Sequence, residues 1–254
     1  MTTSVELLAL PDFPLVAPGT DLPGLVAREL SRHNIALRQG DVVALAQKVV
    51  SKAEGRFVDL ASVTPSAEAL RIAAEAGKDA RIVEVILRES NRVVRIRPNL
   101  LIVEHRQGFV MANAGVDQSN IGTEPDRLLL LLPQDADASA ERLRAHLAAC
   151  FGADIGVVIN DSFGRAWRRG VCGVAIGAAG LPPLIDKRGD VDLFGRELKV
   201  TVIGFADEIA AAASLVMGQA DEGRPVVIVR GLAWPAGGGK ATDIVRPPEE
   251  DLFR

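Results

Sequence analysis

Two stretches carry the residues whose types and spacing could do chemistry. In the run from Gly156 to Cys172, GVVINDSFGRAWRRGVC, the apolar Val157, Val158 and Ile159 read as a buried strand. It breaks into Asn160, Asp161 and Ser162 before the turn-prone Gly164. A carboxylate and a hydroxyl at a strand end are hard oxygen donors suited to a divalent cation. Arg165, Arg168 and Arg169 follow closely, with Trp167 between them, and supply enough positive charge to hold a polyphosphate. The stretch reads as a nucleotide and metal site. The plainer alternative is a surface loop whose Asp caps a turn and whose arginines are solvated.

In the second stretch, Gly108 to Gly122, GFVMANAGVDQSNIG, apolar Phe109 to Met111 leads into small residues and then Asp117, Ser119 and Asn120. That spacing lets a carboxylate and an amide converge in one loop. By itself it is an Asx-type turn, but beside Asp161 it raises a two-carboxylate metal site. Two further segments offer polar groups. In Gly40 to Arg56, a β-rich run through Val42, Val43, Leu45, Val49 and Val50 is interrupted by Gln47, Lys48, Ser51 and Lys52. Either these mark an exposed edge, or Gln47 and Lys52 meet a phosphate or a base. Near the C-terminus, Gly218, Gln219, Ala220, Asp221, Glu222 and Gly223 follow a helix, as a third wall for a nucleotide or as an ordinary C-cap.

The elements that must position these groups alternate in type. Val5 to Val16 predicts a short strand broken at Leu10, Pro11, Asp12 and Phe13, a loop able to cross a flat ligand. Helices are expected at Leu22 to His33 behind Thr20 and Asp21, from Thr64 with a division at Gly77, from Ser139 to Cys150, and at Ala206 to Gly218. Strands are expected over Arg92 to Glu104, Lys199 to Phe205 and Val226 to Val229, with a short buried run at Leu128 to Pro133. Asp186 to Glu197 reads as a polar, glycine-punctuated loop. Gly173, Gly177 and Gly180 do not make a dinucleotide fingerprint, and Gly239 with Lys240 does not make a phosphate-binding P-loop. Residues 1–233 read as one domain, with room for two subdomains, and 234–254 as an extended tail.

The chain has 254 residues, 48% of them hydrophobic, enough for a sizeable core. A net charge of -4 argues against nucleic-acid binding. Two cysteines, no signal-peptide pattern and no apolar run of membrane length predict a reduced, cytoplasmic protein outside the membrane.

Taken in order, AQKVVSKAEGR, GFVMANAGVDQSNIG, VVINDSFGRAWRRG, ADEIAAAASLVMGQADEG and PVVIVRG resemble the coenzyme F420-0:L-glutamate ligase family. The resemblance implies an α+β protein of mixed sheets with packed helices, a family-specific fold and an intertwined homodimer. It implies GTP as co-substrate and two divalent cations, Mg2+ or Mn2+, with K+ a further candidate. The acceptor is coenzyme F420-0, whose terminal carboxylate becomes an acyl phosphate before the amine of L-glutamate attacks, with repeated addition giving γ-linked oligoglutamate. By the same resemblance Leu10, Pro11, Asp12 and Phe13 line the guanine-nucleotide pocket with Gln47, Lys52 and Asn120. The turn Met217, Gly218, Gln219, Ala220, Asp221, Glu222, Gly223 and Arg224 wraps the nucleotide. Asp117, Asp161 and Gln219 bind metal, with Ser162 on the second ion, and no side-chain nucleophile is needed. The family usually has Ser and Thr where Asn160 and Ser162 stand here, and Ser162 keeps the hydroxyl. The flavin-dependent domain fused to some bacterial relatives is not expected. A metal-dependent phosphohydrolase and a non-catalytic GTP-binding dimer stand as alternatives.

Overall fold

The computed structural model describes residues 4–122 and 127–251. In chain order the elements are β1 (Glu6–Ala9), α1 (Leu22–Arg32), β2 (Val42–Ala46), α2 (Gln47–Ala53), β3 (Phe57–Asp59), α3 (Ala67–Ala76), α4 (Ala80–Arg88), β4 (Ser90–Arg97) and β5 (Leu100–His105). There follow β6 (Val110–Ala112), β7 (Leu128–Leu130), α5 (Ala136–Phe151), β8 (Gly156–Arg165), β9 (Arg168–Ala179), β10 (Ile185–Asp186), β11 (Val202–Ile203), α6 (Phe205–Met217) and β12 (Val226–Arg230).

The most apolar strands build a five-stranded sheet in the order β1-β12-β2-β8-β9, in which β2 and β8 run parallel and the other pairs antiparallel. Such strands are hydrophobic without alternation because both faces are covered. Val43, Leu45, Val157, Ile159 and Ile228 face a core with α1 and α5, while Val42, Ala44, Val158, Val227 and Val229 face α6 on the other side. Burying each such side chain contributes about 1.5–3 kcal/mol. Gly173 on β9 permits the second contact, since a Cβ there would lie 2.4 Å from the Ala210 carbonyl oxygen of α6. A smaller layer hangs beside the sheet: α3 and α4 cover the ladder β4-β5-β6, and β3 pairs with β7. The architecture is mixed α+β, as expected.

Several boundaries differ from the sequence reading. The β-rich run of Gly40 to Arg56 is a strand only to Ala46, and Val49 and Val50 belong to α2, which packs them on the α1 core at helical spacing. Asp161 and Ser162 lie inside β8 rather than beyond it, because β9 pairs the strand out to Arg165. Arg92 to Glu104 is a hairpin of two strands, turned at Asn99 with φ 60°. Helix α3 starts behind Ser66, not Thr64, and α5 behind Asp135, whose side chain accepts from the Ala138 amide. Lys199 to Phe205 keeps only Val202–Ile203 as strand, and Phe205 opens α6.

The segment after β12 is held to its own chain at Ala241 and Thr242. The buried Asp137 carboxylate accepts from the amides of Ala178 at 2.9 Å and Ala241 at 2.7 Å, and from Thr242 Oγ1 at 3.1 Å. Among the described residues no helix is long and apolar enough to cross a membrane.

Candidate active site

The sheet register brings the candidate segments to one edge. Ala46, the last residue of β2, lies beside Asn160 of the parallel β8, so Gln47, which opens α2, and Asp161, which continues β8, follow side by side. On the other side of β2 the Ala46 amide donates to the Pro225 carbonyl at 2.8 Å, and the Leu10 amide donates to Val226 at 2.9 Å. Three strand spacings separate the Leu10–Phe13 segment from Asp161, about 14 Å. Carboxyl ends of parallel strands are where open α/β sheets bind ligands.

Helix α2 springs from β2 without a loop, so Lys48 and Lys52 stand one turn apart on one face. Both reach the loop after β6. Lys48 Nζ lies 2.6 Å from Asp117 Oδ2 and 2.6 Å from Ser119 Oγ, and Lys52 Nζ donates to the Asn120 carbonyl at 2.6 Å. The loop is pinned at Asp117, whose backbone exchanges hydrogen bonds with Leu130 at 3.0 and 2.9 Å. Asp117 Oδ1 also accepts from the Ser119 amide at 2.8 Å. Burial works to raise the Asp117 carboxyl, but Lys48 and the Ser119 donors prevail and hold it below the usual carboxylate range. Burial, with the Lys48 charge second, lowers the Lys52 ammonium from its ordinary value.

Strand alternation sorts the residues of β8. Ile159 and Phe163 point to the α1–α5 side, as Asp161 between them must, while Asn160 and Ser162 point to α6. Burial pushes the Asp161 carboxyl up to about 6, and the Asp117 charge adds to that push against the Ser162 amide. On the opposite side Ser162 Oγ donates to Gln219 Oε1 at 2.6 Å, and Asn160 Nδ2 donates to Ser214 Oγ at 3.0 Å. The Asn160 Oδ1 is buried without a partner among the described residues.

The turn after α6 closes the third side. Gly218 ends the helix with φ 81°, and a Cβ there would fall 2.2 Å from Glu222 Cδ, so only glycine fits. Glu222 Oε2 accepts from the Ala220 amide at 2.8 Å, and the Ala220 carbonyl accepts from Asn120 Nδ2 at 2.9 Å, tying this turn to the Asp117 loop. Gln219, Asp221, Gly223 and Arg224 are exposed, whereas the Met217 side chain is core, its Sδ 3.5 Å from Asn160 Nδ2. Leu10 is likewise fully buried, Pro11 and Asp12 are exposed, and Phe13 is half-buried against the α1 core. The Gln47 side chain is buried, and its Oε1 accepts from Ser51 Oγ at 2.9 Å.

Asp117 and Asp161 thus come close on one face of β8, beside the end of β2, with Ser162 and Gln219 on the other face. Their donors are all oxygen, two of them carboxylates in mutual repulsion, a set that fits a hard divalent cation such as Mg2+ or Mn2+ better than a soft one. Among the described residues no group of three His, Cys, Asp or Glu side chains is poised for metal. Lys48 is the partner that sequence reading passed over. Its signal was the four-residue spacing to Lys52, legible only once the segment is helical. Arg165, Arg168 and Arg169 stand further out on the β8–β9 hairpin. A cavity of about 930 Å³ lies at the other end of the sheet among Gly180, Gly238 and Lys240 and includes none of these groups.

A profile of the F420-0:Gamma-glutamyl ligase family matches residues 12–231. The chain belongs to the F420-0:γ-glutamyl ligase family. It is 50% identical over 243 residues to a coenzyme F420:L-glutamate ligase of Methanopyrus kandleri, covering 94% of this chain and 93% of that one. To the ligase of that name from Methanothermobacter thermautotrophicus it is 44% identical, over 98% of this chain and 99% of the relative. To that of Archaeoglobus fulgidus it is 43% identical, over 98% and 96%. The family match spans every segment of the site from Asp12 onward.

Proposed function

We propose that the protein is a GTP-dependent ligase that joins L-glutamate to coenzyme F420-0 through an amide bond. The observation that carries this reading is the closeness of Asp117, Asp161 and Lys48 where β2 ends beside β8, in a chain that belongs to the ligase family.

Asp117 and Asp161 would hold one divalent cation, and Ser162 and Gln219 would help hold a second. Bound there, the cations would neutralise the triphosphate charge that phosphoryl transfer must otherwise overcome. Lys48 and Lys52 would direct two ammonium groups at the phosphates. The Leu10–Phe13 segment and the Gln219–Arg224 turn would bracket the nucleoside end, within the span that the sheet sets. The acceptor carboxylate attacks the γ-phosphorus, GDP leaves, and an acyl phosphate forms. The glutamate amine then attacks the acyl carbon, phosphate leaves, and the amine sheds a proton. Positioning supplies most of the acceleration, with no covalent link to the protein. K+ would be an auxiliary ion, and repeated rounds would give oligoglutamate.

A homodimer fits the same reading. Val191, Leu193, Phe194 and Val200 on the arm between β10 and β11 are 66%, 99%, 95% and 85% exposed, a concentration of apolar surface that a second copy would cover. Incubation with GTP, Mn2+, glutamate and F420-0 is expected to release GDP and add one glutamate to the deazaflavin by mass spectrometry. GTP turnover without acceptor would instead favour a phosphohydrolase.

A further inference from the structure

The β8–β9 hairpin continues four residues past Asp161 to Arg165, roughly 13 Å along the strand. Arg165 pairs with Arg168, leaving Ala166 and Trp167 as a two-residue turn. Trp167 takes φ 66°, a left-handed position that glycine or asparagine normally fills and that is unfavourable for a bulky side chain. Its indole is 88% exposed, so no burial offsets that conformation. Arg165 Nη2 reaches the Arg169 carbonyl at 3.4 Å, and among the described residues no carboxylate pairs with Arg165, Arg168 or Arg169. In a chain of net charge -4 most other arginines near acids are paired, as Arg188 is to Asp186 and Arg230 to Asp41.

An exposed aromatic ring flanked in the hairpin by guanidiniums that no carboxylate pairs among the described residues is a platform for a flat, anionic molecule. The nucleotide segments lie along the sheet edge on the β1 side of Asp161, and the hairpin carries the platform onward from Asp161 along β8. The apolar arm lies elsewhere: it leaves the fold beside the start of α6, where the Ala206 amide donates to Pro183, whereas Ser162 meets the turn after the end of α6.

Resting on the ligase reading, we infer that this hairpin is the acceptor-binding arm. Trp167 stacks on the planar deazaflavin ring, and Arg165, Arg168 and Arg169 take its anionic chain, which leads the terminal carboxylate back along β8 toward Asp161.

Binding can be measured without turnover, by titrating the full chain into F420-0 and following the anisotropy of the deazaflavin fluorescence. Trp167→Ala is expected to weaken binding by about tenfold or more, with Trp167→Phe recovering most of it. Arg168→Ala is expected to weaken binding and flatten its salt dependence, while GTP affinity moves less than about twofold. Unchanged F420-0 affinity in Trp167→Ala overturns the inference, and so does a loss accompanied by a changed oligomeric state in light scattering, which would make the hairpin a contact between copies. Wild-type protein that binds F420-0 but never adds glutamate refutes the ligase reading and leaves the hairpin assignment standing. Failure of wild type to bind overturns both.

Discussion

Lys48 Nζ and Asp117 Oδ2 meet at 2.6 Å, and this ion pair bridges the helix after β2 to the loop before β7. Against burial, Lys48 and the Ser119 donors together hold the Asp117 carboxyl below the usual carboxylate range. Lys48→Met removes the Lys48 charge and leaves Asp117 facing Asp161 with only the Ser119 donors to offset the repulsion. The metal-free variant is expected to lose on the order of 1 kcal/mol of stability. Saturating Mn2+ should recover much of the loss, because the cation takes over the compensation. Ligase turnover should fall by at least about thirtyfold while Mn2+ affinity, read by electron paramagnetic resonance, does not weaken. Weakened Mn2+ binding would show that Lys48 organises the carboxylates rather than serving the nucleotide.

Asp161 gives a pH dependence of definite sign. Its carboxyl titrates near 6 in the folded chain, above its ordinary value of 3.8, so the folded state binds the extra proton. The metal-free protein therefore loses stability as pH rises from about 4 to 6, and the penalty is complete above that window. Asp161→Asn removes the penalty. It is expected to raise the metal-free Tm by roughly 5 °C at pH 8 and hardly at all at pH 4, while abolishing ligase activity. Differential scanning calorimetry at the two pH values checks this. A variant equally or less stable at pH 8 would mean that the carboxylate is already compensated without metal.

Ser162 and Gln219 test the other side of the strand. Ser162→Ala deletes the 2.6 Å bond to Gln219 Oε1 but leaves the side chain of Gln219 in water, so the stability cost should stay below about 1 kcal/mol. Activity should nevertheless drop about tenfold or more, with the apparent metal requirement rising. Ser162→Thr should retain activity within about threefold, since its hydroxyl is kept. Equal damage from both substitutions would assign the position to packing against α6.

How much of this was legible in the sequence depended on what set each feature. Asp117 and Asp161 announced themselves, because a polar cluster directly after an apolar run marks the place where a buried segment meets solvent and its side chains can reach a ligand. The apolar runs of β2, β8 and β12 were also readable as buried strands. Their pairing was not, since register between β2 and β8, more than 100 residues apart, is decided by tertiary packing. Pairing by β9 likewise extended β8 through Gly164, which by local propensity is a turn. Lys48 was hidden by type: Val49 and Val50 favour a strand locally, and only burial of both against α1 commits them to a helix. The resemblance supplied the ligand roles that residue types alone left open.

Glu89 ties the site to the smaller layer. It caps the end of α4, lies 2.8 Å from Arg56 just beyond α2, and has His105 Nε2 and Arg106 Nη1 each at 3.8 Å. Arg56 Nε in turn donates to the Leu132 carbonyl at 2.9 Å, beyond β7. His105, then the Arg56 and Arg106 charges, hold the Glu89 carboxyl below its ordinary 4.5 against burial. A depressed folded value means that the contribution is present above 4.5 and fades as pH falls through the folded value. Glu89→Ala leaves the Arg56 charge without its partner, and is expected to cost about 3 kcal/mol at pH 7 and far less at the acid end. Because Arg56 follows α2 so closely, hydrogen exchange should quicken in α2 and in the Asp117 loop as well as in α4. Exchange confined to α3 and α4 would show that the smaller layer moves without disturbing Lys48.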